Sequence, residues 1–566
     1  MSEFSASSVL AIVLLELSST AIGHVPTFTR DVAPILLKHC ANCHDSLLSY
    51  DAARLSAKAI SERVQTRAMP PWPADPARSL NFSNDARLSA ADIAAVIAWV
   101  DAGTPKGDDA DLPSVPDQAS QWLNPRGRAP DAVISLPEIH VGPKGEVPYI
   151  RQLIKVPFIA DKWIVAMQVR AGNRRLVHHM GITEVALPEG MGAAQVNDFA
   201  AVARKLGLPD GLVADTPPAV VDPTNANAYD MLGVYTPGTT FEAFGDDSGK
   251  LLKGGNNYYI SFNIHYTATG KPETDRSQLG LWFRSTPPKH QLIRAPVAIN
   301  TIIADGKELL TDAPGTKAEG ADVPIPPIPA YAQNYEVIGV SAYTQPVTLY
   351  QLQPHAHMRA KDFTYVAVYP DGRELTVLTV PAYDFHWQLA YQLEQPLTLP
   401  PGSKLIVTAH YDNSREHYSE RVEADDPGRN CGPENVVYFR RQNQSWDEMF
   451  SPLAQYAVSS SAASNERAPQ IVRVIGCLKE GHSNKWLLTK AGEPVVTDTQ
   501  ATSRTELSTA SADRRGSNIV ELLGAGIFSP RSYGGQTVAV KGVFIRDARN
   551  TRINVTSLQT LGATCD

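Results

Sequence analysis

Cys40-Ala41-Asn42-Cys43-His44 puts two thiols within one short turn and an imidazole directly after them. Thiols so spaced can add to the vinyl groups of a porphyrin while the adjacent imidazole takes an axial position on its iron, so the pattern predicts one covalently bound haem c. Met69, in Met69-Pro70-Pro71-Trp72, is the only methionine between Cys43 and Gly103, and it offers a soft thioether as sixth ligand on a backbone stiffened by prolines. His39 is the competing ligand, but it directly precedes Cys40 and is badly placed to reach the opposite face of a haem.

A second set of ligand types lies further along. Val177-His178-His179-Met180 sets two histidines side by side. A regular strand would send them to opposite faces, so sharing one ion needs a bulge, a strand end or the use of different ring nitrogens. In Tyr258 to Tyr266 the alternation puts Ile260, Phe262 and Ile264 on the core face and Ser261, Asn263 and His265 on the other. Together, His178, His179 and His265 form an all-imidazole set suited to copper or zinc. Gln353-Pro354-His355-Ala356-His357-Met358 is different: the i, i+2 spacing brings both imidazoles to one face without irregularity, and Pro354 predicts an edge strand. Met358 projects to the other face, which leaves His410 and Met449 as candidate third ligands.

These motifs carry a family resemblance. VHHM at His178 and His179, NIHY at His265, PHAHM at His355 and His357, and SWDEM ending at Met449 resemble, in order and setting, the copper type II, ascorbate-dependent monooxygenases. That is the family of peptidylglycine α-hydroxylating monooxygenase and dopamine β-monooxygenase. The resemblance covers roughly Asp131 to Ala457. It implies two jelly-roll-type β-sandwiches side by side, each with one copper. It also implies that His178, His179 and His265 hold an electron-transfer copper, and that His355, His357 and Met449 hold the copper where O2 and substrate meet. A thioether favours Cu(I), the state that must reduce O2, whereas imidazoles serve both oxidation states. His410 matches no family ligand and reads as a supporting or strand-packing residue, with a three-histidine site as the alternative. The haem motif ahead of the copper region is a departure from the animal enzymes, and it suggests electron delivery through haem, at an effective concentration of about millimolar for a tethered donor.

The elements that must position these residues can also be read. Helical spacing runs from Phe28 to Lys38, and again from Ala90 to Val100 after Ser89, ending at Gly103; the sixth haem ligand is expected from the loop between. A chain of 566 residues with 43 prolines and 38 glycines suggests several domains dominated by strands and turns. The expected order is a signal peptide (1–23), a small all-α cytochrome c domain (24–105), a linker (106–130), the first copper sandwich (131–297), a linker (298–330), the second copper sandwich (331–457) and a C-terminal OB-like β-barrel (469–566). The barrel rests on five candidate strands, Ile471 to Leu478, Lys485 to Leu488, Ile519 to Leu523, Thr537 to Ile545 and Ile553 to Leu558.

The fold class is therefore mainly β and multidomain, and the expected product is an exported, periplasmic or secreted oxidoreductase. It would hydroxylate a C–H bond of a small organic or peptide substrate with O2, drawing on an external electron donor. The apolar run Val9 to Leu17 reads as a signal peptide, although no Lys or Arg precedes it. A net charge of −8 argues against nucleic acid, and no integral membrane segment is expected. Of five cysteines, Cys477 and Cys565 are a plausible disulfide, although a pairing with Cys431 stays open. Two other readings compete: a non-catalytic haem and copper electron carrier, and a binding protein whose histidines hold zinc.

Overall fold

A computed structural model describes residues 24–41, 43–114, 122, 127–143, 147, 149–187, 230–239, 241–245, 247–312, 325–417, 432–439, 445–459, 469–510, 515–546, 550–562 and 564–565. The segment read as a signal peptide, and Cys431, lie outside these residues. The chain divides into two compact units, Met1–Pro71 with Ala86–Pro116, and Trp72–Asp85 with Asp117–Asp566. No helix among the described residues is long and apolar enough to cross a membrane.

The first unit is helical. A π-turn at Phe28–Val32 leads into α1 (Ala33–His39), followed by α2 (Tyr50–Leu55), α3 (Ala57–Gln65) and α4 (Ala90–Asp101). Ser89 caps α4 as its position suggests: its hydroxyl accepts from the Asp92 amide, and the Asp92 carboxylate accepts from Ser89 in return. The stretch read as a loop between the helical runs of α1 and α4 also contains α2 and α3, ahead of Met69. Ala57, Ile60 and Val64 lie on one face of α3 and pack with Phe28, Val32, Leu36, Val96 and Trp99. Two short helices bury too few apolar positions each to give a legible period.

The second unit is mainly β and holds three strand blocks. In the first, a sheet of Ala132–Ser135, Gln278–Arg284, Lys162–Arg170, Ser248–Leu252 and His290–Gln291, with Phe241–Ala243 added to Lys162–Arg170, faces a four-stranded sheet of Ile150–Lys155, Tyr258–Tyr266, Val177–Ala186 and Met231–Tyr235. Their shared core includes Ile164, Val169, Leu279 and Leu281 from one sheet, and Ile182, Ile260, Phe262 and Ile264 from the other. Alternation therefore assigned the buried face of Tyr258–Tyr266 correctly.

In the second block a four-stranded sheet (Ile293–Pro296, Ser451–Val458, Val347–His355, Tyr391–Leu399) faces a six-stranded one (Lys307–Glu308, Thr301–Ala304, Tyr335–Ala342, Lys404–Tyr411, Ala360–Val368, Glu374–Val380). Thus part of the stretch expected as a linker, 298–330, supplies strands. Val347–His355 is an inner strand, not the edge that Pro354 suggested. Its pairing with Tyr391–Leu399 stops at Leu352, so the missing N–H of Pro354 interrupts no ladder on that side. Trp72–Asp85 lies against this block: the amides of Asp75 and Leu80 donate to the carbonyls of Thr379 and Val377 at 2.9 and 3.0 Å.

The third block contains Ile471–Glu480, Trp486–Ala491, Val495–Val496, Asn518–Leu523, Thr537–Arg546 and Thr551–Gly562, close to the five expected strands, with a short helix, Arg504–Ala510, in the polar insert. Cys477 and Cys565 form a disulfide with their Cα atoms 5.6 Å apart. The block shares a core with the second: Val474, Leu488, Val540 and Val555 pack with Ile338, Val340, Val368 and Ile406 of the six-stranded sheet.

Candidate metal centre

His178 and His179 lie on the strand Val177–Ala186, and His265 on its neighbour Tyr258–Tyr266. Val177 pairs with Tyr266 but His179 pairs with His265, so His178 is the extra residue of a β-bulge. The bulge resolves the side-by-side problem. His178 Nδ1 lies 2.9 Å from His179 Nδ1 and 3.2 Å from His265 Nδ1. Two nitrogens bound at about 2.0 Å to one tetrahedral ion stand about 3.3 Å apart, so the spacing suits a metal. Burial, reinforced by the neighbouring imidazoles, pushes His178 and His179 well below the ordinary histidine value. Both rings are neutral, the form whose lone pair takes a cation. The polar face of the His265 strand is covered, since Ser261 and His265 are buried.

His355 closes the strand Val347–His355, and the His357 ring centroid lies 5.6 Å from its own. Each ring is oriented at Nδ1. His355 Nδ1 lies 2.6 Å from Gln388 Oε1, and Gln388 Nε2 donates to the Phe385 carbonyl, which fixes the amide. His357 Nδ1 lies 3.1 Å from the Asp447 carbonyl oxygen. Those oxygens can only accept, so both Nδ1 atoms carry the proton and both lone pairs are on Nε2. Glu448 is fully buried, and its carboxylate accepts from the backbone N–H groups of His357, Arg359 and Met449 at 2.9, 2.6 and 3.0 Å. Burial pushes that carboxyl up to about 7, against the three N–H groups that favour the anion. Glu448 thereby ties the backbone at Met449 to the backbone at His357. Met449 is buried, and its carbonyl accepts the Tyr411 hydroxyl at 2.9 Å.

The two histidine sets meet. Ring centroids of His179 and His355 stand 6.0 Å apart. Tyr149 packs on His179, His265 and His357 at 5.4, 4.7 and 5.8 Å. Phe385 lies 5.1 Å from His178, 5.7 Å from His265 and 6.0 Å from His357. No known family's model matches the chain, and none of the curated proteins is detectably similar to it. The site is therefore read from its own geometry. One loop proves central to it: Phe385 touches both sets, Gln388 orients His355, and His386 Nδ1 lies 3.3 Å from His178 Nε2. From sequence alone His386, in a turn or isolated context, reads as an ordinary surface or packing residue. The available signal was the run Asp384-Phe385-His386-Trp387-Gln388, three ring side chains in one loop.

His410 belongs to neither set. Its Nδ1 lies 2.6 Å from Asp362 and its Nε2 3.4 Å from Glu336, the residues directly across from it on both neighbouring strands. Those carboxylates push the ring up to about 9, so it is protonated and has no lone pair to offer.

In the helical unit the amides of Cys43 and His44 donate to the Cys40 carbonyl at 3.1 and 2.8 Å, which folds the motif into one turn after α1. Cys40 and Met69 are half-buried, while Cys43 and His44 are exposed. His39 Nδ1 lies 3.3 Å from the Ala86 carbonyl oxygen, and its Nε2 is buried without a hydrogen-bond partner. Two thiols and an imidazole gathered in one turn are the donor set that a covalently attached haem takes, so the residue types fit that group.

Proposed function

We infer that this chain is a copper-dependent monooxygenase that receives electrons through a covalently attached haem. One observation carries the reading: a three-imidazole cluster and a second histidine pair meet around Tyr149 and Phe385. The donor types fit copper, with neutral imidazoles on one side and two imidazoles and a thioether on the other. Copper bound at both places would supply one-electron steps to O2 and insertion of one oxygen atom into a C–H bond of a small organic or peptide substrate.

The protein's own part is positional. The bulge at His178 aims three Nδ1 lone pairs inward, while Gln388 and the Asp447 carbonyl aim two Nε2 lone pairs. Glu448 holds the Met449 segment against His357. Tyr149 and Phe385 fill the space among the rings with apolar surface and limit water there.

The helical unit is read as a c-type cytochrome, with Cys40 and Cys43 as attachment points, His44 as one axial ligand and Met69 as the other. The first two strand blocks are read as jelly-roll sandwiches. The third is read as a small OB-type barrel, because its strands pair in a cycle, Ile471–Glu480 with Trp486–Ala491, then Asn518–Leu523, Thr551–Gly562, Thr537–Arg546 and back to Ile471–Glu480. Export to the periplasm or beyond suits both haem attachment and the disulfide.

Metal analysis of the haem-loaded protein tests the reading. Two coppers per haem are expected, falling to one in His179→Ala. Zinc in both places would favour a binding protein, and no metal would overturn the reading.

A further inference from the structure

The loop after the strand Glu374–Val380 orients one histidine from each set. Its fold is fixed locally: Asp384 Oδ1 accepts the His386 amide at 2.8 Å, and the Asp384 carbonyl accepts the Trp387 amide at 2.9 Å. Gln388 serves His355 from one end of this turn. At its outer side His386 stands exposed, with its ring centroid 5.4 Å from that of His178.

The nitrogens define the relation. His178 faces His179 and His265 through Nδ1, so the lone pair needed for a metal is on Nδ1 and the proton is on Nε2. That Nε2–H points at His386 Nδ1, 3.3 Å away, which accepts it. His178 is the bulged residue that the ladder to Tyr258–Tyr266 skips, and the imidazole behind it constrains its ring.

We propose that His386 is a positioning residue of the three-histidine site: it accepts the Nε2–H of His178 and thereby sets the tautomer and angle of that ring. The proposal rests on the reading of this cluster as a copper site. It crosses between strand blocks, since the loop belongs to the second and His178 to the first.

The test uses the full haem-bearing chain and reads copper affinity by competition with a Cu(I) chelator, together with the Cu(II) electron paramagnetic resonance spectrum. His386→Ala should weaken one of two coppers by about 10- to 100-fold and leave the other unchanged. His386→Asn puts an amide oxygen near the Nδ1 position and should restore most of that affinity with an unchanged nitrogen hyperfine pattern. Wild-type affinity and spectrum in His386→Ala would overturn the proposal. Loss of one nitrogen from the pattern in both variants would also overturn it, by making His386 a direct ligand. A wild-type chain that takes up no copper would overturn the underlying reading instead, and the proposal with it.

Discussion

At the residue scale the site depends on which nitrogen of each histidine carries the proton. Gln388 and the Asp447 carbonyl decide this for His355 and His357. Gln388→Leu keeps the volume and removes the acceptor. It should weaken copper at the His355 site by about 10- to 100-fold while leaving the three-histidine site intact, as chelator titration would show. The clustering of His178, His179 and His265 was legible in sequence once the adjacent pair was read together with the outward-facing His265. Gln388, Glu448 and His386 were not, because each acts on a residue dozens of positions away and only the folded chain brings them together.

At the scale of elements, strand alternation carried the sequence reading furthest. It assigned the core face of Tyr258–Tyr266, and it anticipated that His178 and His179 need an irregularity to cooperate, which the bulge provides. It failed where pairing, not pattern, decides, as with the inner strand at Pro354 and the strand Thr301–Ala304 inside a presumed linker. His410 illustrates the same limit: no local signal says that Glu336 and Asp362 flank it. Those carboxylates raise its folded pKa to about 9 from 6.5, so the protonated ring stabilises the sheet fully below pH 6.5, and the contribution is lost as pH rises through 9. His410→Gln should therefore cost about 1–2 kcal/mol at pH 6 and almost nothing at pH 10. Chemical denaturation at both values checks this; an equal loss at both would point to packing instead of charge.

At the scale of the molecule, the meeting of the two histidine sets requires that the first two strand blocks keep their places. Arg294, almost wholly buried on the short strand Ile293–Pro296, bonds Glu242 of the first block and Gln351 of the second, with its Nη2 lying 2.7 Å from the Gln351 oxygen. Gln455 reaches the same Glu242 at 3.1 Å. Arg294→Met would leave Glu242 facing a buried space without its cation and should destabilise the protein by about 3 kcal/mol, measurable as a lower denaturation midpoint. Copper affinity at both sites should fall with it, whereas loss of stability with intact copper binding would separate the seam from the site. The third block is held comparably to the second. Lys404, wholly buried, donates to the carbonyls of Leu523, Gly524 and Val555 at 3.3, 2.9 and 2.6 Å, and a side chain at Gly524 would place its Cβ 2.6 Å from the Lys404 Cε. Composition could not reveal that seam, because a lysine in a strand ordinarily reads as exposed.

The measurement that goes most directly to copper-dependent O2 chemistry fed by haem is a single-mixing experiment. The copper-loaded, fully reduced chain is mixed with O2 and the haem absorbance is followed. If the reading is right, the haem oxidises rapidly in the wild type, and much more slowly in Met449→Ile and in protein stripped of copper. Haem oxidation at one rate in all three would contradict it.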